Sequence, residues 1–130
     1  MPFLRFDIEE GRTDKQIKTL LDAAHRAVLT AFEVPEGDRY QIVHEHKPSR
    51  MVVKDTGLGI TRTKNVVVVS VISRPRPEDS KQFFYSELCR ELKQSCNIAP
   101  SDVMVNFTIN SDADWSFANG VAQFMTGELT

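Results

Sequence analysis

Asn65-Val66-Val67-Val68-Val69-Ser70-Val71-Ile72-Ser73 is a β-branched run without polar alternation. Such a run reads as a central strand covered on both faces. Arg74-Pro75-Arg76-Pro77 stops it, and Pro77 suits the first turn of a helix in which Glu78 and Asp79 complement the macrodipole. Phe84, Leu88, Leu92 and Cys96 continue at helical spacing, with Phe83 and Cys89 beside them, until Asn97 and Pro100 end the helix. Val103 to Ile109 is the next strand.

Working outward, the same strand–helix–strand pattern stands about 64 residues earlier, because Pro2 to Asp38 spans the same count as Val66 to Asp102. Met1-Pro2-Phe3-Leu4-Arg5-Phe6-Asp7-Ile8 sets Phe3, Arg5 and Asp7 on one side and Leu4, Phe6 and Ile8 on the other. Apolar groups on both faces place that strand inside a sheet. Thr13-Asp14-Lys15-Gln16 fits a capping box. Ile17, Leu20, Leu21, Ala24, Ala27, Val28, Ala31 and Phe32 then form one apolar stripe, which Pro35 and Gly37 end. Asp38 to His46 alternates as a strand, with Tyr40, Ile42 and His44 on one side.

Two copies of strand–helix–strand demand right-handed crossovers and parallel strand pairs. The expected architecture is α+β: two consecutive βαβ units, 2–46 and 66–109, in one domain of 130 residues. They form a four-stranded mixed sheet with both helices on one face. The other face keeps apolar side chains in the open, which predicts burial against further copies of the chain. Residues 47 to 64 read as irregular, with Met51-Val52-Val53 a short extended piece and Gly57-Leu58-Gly59 a turn, not a phosphate loop. Val121 to Met125 reads as a short strand.

Bulk properties narrow the function classes. The chain is 41% hydrophobic and 26% charged with a net charge of −2, an unfavourable balance for nucleic acid or an anionic membrane. No apolar run reaches transmembrane length and no signal pattern opens the chain, so the cytosol is the expected compartment. Cys89 and Cys96 are too far apart along one helix to bridge and read as reduced thiols. His44 and His46 share a strand face, but no third ligand stands at useful spacing, so no metal is expected. His25 reads as a surface residue.

The chemistry-bearing residues converge by topology. Pro2 is small enough for Met1 to be trimmed, which would leave a secondary amine: a base when neutral, a two-proton donor when charged. Parallel strands of one βαβ unit start at the same edge, so Pro2 and Asp38 become neighbours. If the two units run antiparallel, Arg74 and Arg76 reach that edge as well. Two arginines make a fork for a carboxylate. Trp115 and Phe117 alternate in an extended segment and would wall the pocket, excluding water. Asp38 favours the cationic amine and the arginines oppose it, so base and acid roles both stay open for Pro2. Taken singly, each of these residues has an ordinary structural reading; their conjunction is what points to a site.

Beyond Pro2, several stretches carry a recognisable pattern: Phe6-Asp7 with Glu10-Gly11-Arg12-Thr13-Asp14, Asp38-Arg39-Tyr40-Gln41, and Asp55-Thr56-Gly57-Leu58-Gly59. Val71-Ile72-Ser73-Arg74-Pro75-Arg76, Asn110-Ser111-Asp112-Ala113-Asp114-Trp115-Ser116-Phe117 and Thr126-Gly127 complete it. With these the chain resembles the tautomerase superfamily, and within it the malonate semialdehyde decarboxylase branch. The resemblance implies a homotrimer of the macrophage migration inhibitory factor-like fold, without cofactor, acting on a small carboxylate-bearing oxo acid. It implies Pro2 as catalytic proline, Arg74 and Arg76 as carboxylate-binding pair and Asp38 as the assisting acid. Trp115 and Phe117 become the hydrophobic wall. Decarboxylation of a 3-oxo acid such as malonate semialdehyde, with hydratase or tautomerase side activity, is the leading expectation. A keto–enol tautomerase with Pro2 as general base, and a trimeric binding or signalling protein with a vestigial proline, are the alternatives.

Overall fold

The computed structural model describes residues 1–130. The elements are β1 (Phe3–Glu9), α1 (Asp14–Phe32), β2 (Tyr40–His46), β3 (Val67–Ser73), α2 (Glu78–Cys96), β4 (Val103–Ile109) and a short α3 (Gln123–Thr126). β3 begins at residue 67 where β1 begins at 3, and α2 at 78 where α1 begins at 14. The sheet order is β2-β1-β3-β4, with β1 parallel to β2, β3 parallel to β4, and β1 antiparallel to β3. The expected four-stranded mixed sheet is therefore observed.

Alternation decides what the sheet buries. Leu4, Phe6 and Ile8 of β1 and Val67, Val69 and Val71 of β3 are buried in one core with both long helices. α1 contributes Leu20, Ala24, Ala27, Val28, Ala31 and Phe32, its small alanines allowing close approach. α2 contributes Phe84, Leu88 and Leu92, four apart and all fully buried. Each such large side chain is worth about 1.5–3 kcal/mol. The two helices pack on each other, and the buried Glu91 accepts from Arg26 Nε across that interface (2.9 Å).

The helix ends follow the sequence. Gln16 N donates to Thr13 Oγ1 (3.2 Å) and Thr13 N to Gln16 Oε1 (2.9 Å), closing the capping box. Left-handed residues Glu33 (φ 52°) and Asn97 (φ 54°) end α1 and α2. The Asp55-to-Gly59 motif is a turn closed by its aspartate: Gly57 N and Gly59 N donate to Asp55 Oδ1 and Oδ2 at 3.2 and 3.0 Å.

Met51 is extended (φ −135°, ψ 105°), and residues 51–53 pair with no strand. Two expectations need correction. Val121 to Met125 is not a strand: Asn119 and Gly120, both at positive φ, make a tight turn bridging Ala118 to Val121, and the chain then enters α3. Asn-Gly is a strong two-residue turn signal, and here it competes with the apolar run that follows. His25 is buried rather than on the surface, because Glu36 O lies 2.9 Å from its Nε2 and gives the ring a polar partner inside.

The sheet face away from the helices carries Phe3, Tyr40, Ile42, Val68, Ile72 and Met104, of which Tyr40, Ile42 and Met104 are exposed in the single chain. On that face Arg5 NH1 lies 3.1 Å from His44 Nε2, and His46 Nε2 lies 2.7 Å from Asp7 Oδ1. No helix is long and apolar enough to cross a membrane.

Candidate active site

Strand register brings the predicted residues to one sheet edge. Phe3 pairs with Tyr40 on β2 and with Ile72 on β3. One step before it, Pro2 therefore faces the end of β3 and the turn that precedes β2. Asp38 sits in that turn, its N–H bonded to Pro35 O at 2.9 Å. Arg74 and Arg76 leave β3 at the same edge.

The N-terminus is buried there. Met1 is 3% exposed, and its amine donates to Asp38 Oδ1. Its carbonyl oxygen accepts from Arg76 NH2 at 3.0 Å. Burial, then the charges of Arg76 and Arg74, hold the amine's pKa down from its usual 8.0 to about 5. The Asp38 carboxylate in contact pulls the other way, toward the cation. The Pro2 side chain is fully buried beside this pair.

The two arginines are placed differently. Arg76 is inner: Nε donates to Ser73 Oγ (3.2 Å) and the guanidinium lies 5.0 Å above the Phe32 ring. Burial and then Arg74 lower its pKa. Arg74 is outer: NH1 donates to Asp112 Oδ1 (3.0 Å) and Thr130 O (3.3 Å), and the guanidinium stacks on Phe124 at 3.9 Å.

An aromatic row borders the edge. Phe3 stacks on Tyr40 (6.4 Å), Tyr40 on Phe117 (5.7 Å), and Phe117 on Trp115 (5.5 Å, 11° between planes). Trp115 Nε1 donates to Asn110 Oδ1 at 2.7 Å, which sets the indole's orientation. Phe124 meets Phe117 edge-on at 5.5 Å, and so joins the row to Arg74.

All six predicted residues thus lie along one edge, with Pro2, Asp38 and Arg76 innermost. Ser73, Asp112, Phe124 and Tyr40 also belong to this neighbourhood, and the sequence reading assigned them no role. In the sequence Tyr40 is a strand position and part of the Asp38-to-Gln41 stretch. Phe124 falls in the stretch misread as a strand; the aromatic spacing of Trp115, Phe117 and Phe124 was the available signal.

Two open grooves lie elsewhere. One of about 670 Å³ includes Arg12, Lys15 and Cys96, and the other, about 1040 Å³, lies between Val52, Leu58, Tyr85 and Met104. Neither includes Pro2 or Met1, which are both buried. No group of three His, Cys, Asp or Glu side chains could hold a metal ion.

Two family profiles, both described as tautomerase enzyme, match residues 38–118 and 2–60. Probable tautomerase YrdN of Bacillus subtilis (strain 168) is 55% identical over 99% of this chain and 100% of its own. Among solved structures, a malonate semialdehyde decarboxylase shares 55% identity with a TM-score of 0.97, covering 99% of this chain and 100% of that one. The FG41 malonate semialdehyde decarboxylase shares 36% with a TM-score of 0.94 over 98% of both. The chain belongs to the tautomerase superfamily of enzymes, in its malonate semialdehyde decarboxylase-like branch.

Proposed function

We propose that Met1 is removed and that this protein is a cofactor-free lyase that decarboxylates a small 3-oxo acid such as malonate semialdehyde through the amine of Pro2. The observation that carries the reading is the buried N-terminus held between Asp38 and Arg76. Peptide geometry sets consecutive backbone nitrogens roughly 3 Å apart, so loss of Met1 would leave the Pro2 nitrogen close to both groups. The vacated volume would be the substrate's. Consistent with this, the 55%-identical decarboxylase was solved in wild-type form, in an inactivated form, and with its first residue, a proline, replaced by alanine. That work addressed decarboxylase and hydratase activities.

Each group has a role in that chemistry. Arg76, and Arg74 beyond it, hold the substrate carboxylate. The carbon–carboxylate bond breaks, carbon dioxide leaves, and the bonding pair moves into the carbonyl to give an enolate. Cationic Pro2 donates to that carbonyl oxygen, a charge fixed in place before the reaction. Trp115 and Phe117 turn the carboxylate out of the carbonyl plane, so that the breaking bond aligns with the π system. The enolate then takes a proton from water at carbon as the carbonyl re-forms, and Asp38 keeps the amine charged throughout.

A second reading has its own support. Burial and both arginines push an amine at this place toward neutrality. A neutral Pro2 is a general base, which suits keto–enol tautomerisation. Specificity constants for malonate semialdehyde and phenylenolpyruvate on the same trimmed protein separate the two. The lyase reading requires the first to exceed the second and Pro2→Ala to abolish it. Inactivity on every oxo acid would favour a binding protein.

The working enzyme in this reading is a cytosolic homotrimer. The exposed apolar face and the two edge strands β2 and β4 supply surface that further copies would cover.

A further inference from the structure

The aromatic row and the C-terminal turn meet on one buried amide that the chemistry above does not use. Gln123 opens α3 and is 8% exposed. Its Oε1 accepts from Phe117 N and its Nε2 donates to Ala118 O, both at 2.9 Å. A side-chain amide offers one acceptor and two donors on a planar fork, so it can bracket a stretch of backbone as a neighbouring strand would. These partners also fix the amide's orientation, since the N–H needs the oxygen and the carbonyl needs the NH2. The Gln123 carbonyl accepts in turn from Leu129 N (3.1 Å) and Thr126 Oγ1 (3.3 Å).

Three parts of the site hang on this bracket. Phe117 is bonded through its own N–H. Phe124, the next residue in α3, meets Phe117 edge-on and carries the Arg74 guanidinium. The tail pinned at Leu129 reaches Arg74 through Thr130 O. A shift of the amide therefore moves the wall and the outer arginine together.

We propose that Gln123 is a positioning residue for the substrate's carboxylate, acting through Phe117, Phe124 and Arg74. This rests on the reading of those groups as the carboxylate end of the pocket. Two substitutions probe it. Gln123→Leu keeps roughly the same bulk and removes both side-chain bonds. Gln123→Glu keeps the acceptor for Phe117 N but sets a second acceptor against Ala118 O. Burial raises the introduced carboxyl's pKa, and its protonation restores the donor.

Trp115 is the only tryptophan of the chain and stacks on Phe117, so its fluorescence reports on the wall without any substrate. Acrylamide quenching of Trp115 should rise about twofold or more in both variants, as loosened packing exposes the indole. A role in stability alone lowers the active fraction and so kcat, whereas displaced carboxylate contacts raise KM for malonate semialdehyde, here by about five- to tenfold. In the Q123E protein the KM should fall back toward the parent's as pH is lowered. Quenching and KM unchanged in both variants, or a Q123E pH profile that tracks the parent's, would overturn the proposal. If Q123L does not fold, Q123E decides alone. A parent with no decarboxylase activity defeats the proposed function, and the fluorescence comparison then judges Gln123 by itself.

Discussion

Replacing Arg76 by lysine separates the charge of this side chain from its shape. The guanidinium spans Ser73 Oγ at 3.2 Å and the Met1 carbonyl at 3.0 Å while lying on Phe32. Under the proposed loss of Met1, the bond now made to its carbonyl would become available to a substrate oxygen. Lysine keeps the cation, but one ammonium cannot hold Ser73 and a carboxylate in the same plane. At least one charge-assisted hydrogen bond is lost, worth about 1.5–3 kcal/mol. At about 1.4 kcal/mol per factor of ten, Arg76→Lys should lower kcat/KM roughly ten- to 150-fold. The assay is steady-state decarboxylation of malonate semialdehyde by trimmed protein, with thermal melting in parallel to exclude loss of fold. If the arginine binds the carboxylate equally in ground and transition states, most of the change falls on KM. Activity within about twofold of the parent at unchanged KM would refute the assignment and leave Arg76 as a cation packed on Phe32.

Three further outcomes follow from the fold and the terminus. Asp102, 2% exposed, accepts from Thr63 N (2.7 Å) and Thr63 Oγ1 (2.5 Å), so Asp102→Ala should cost about 2–3 kcal/mol in urea unfolding by orphaning the loop's backbone donor. Glu33 ends α1 at φ 52°, where glycine carries no Cβ penalty, so Glu33→Gly should stabilise by about 1 kcal/mol in the same measurement. A chain that keeps Met1 should grow more stable as pH rises from about 5 to 8. In that window the unfolded chain holds the amine proton and the folded one does not. N-formylation of Met1 removes the titrating group and should flatten the difference in urea midpoints across that range.

The two βαβ units were legible because helix and strand periods differ and because the caps are local. Thr13 with Gln16, and the Val66-to-Ser73 run, need only near neighbours to do their work. Pro2, Asp38 and Arg76 were legible one level up, since parallel and antiparallel pairing fixes which chain ends share an edge. What escaped depends on tertiary partners. Burial of His25 turns on a carbonyl eleven residues away. The unequal lodging of the arginines, Arg76 on Ser73 and Arg74 on Asp112 and Phe124, depends on how the tail folds back. That tail is governed by the Asn119-Gly120 turn and the Gln123 bracket, and an apolar run read alone points to a strand instead.

The most direct test of the central claim compares two forms of one sequence, distinguished by intact mass: protein with Met1 removed, and protein that retains it. With Met1 in place the Pro2 nitrogen is an amide without basicity, and the Met1 carbonyl occupies the Arg76 NH2 donor. The trimmed form should decarboxylate malonate semialdehyde, and the retained form should be slower by about a thousandfold or more, the scale on which a proton-donating group contributes to rate. Equal kcat/KM for the two forms would contradict the account.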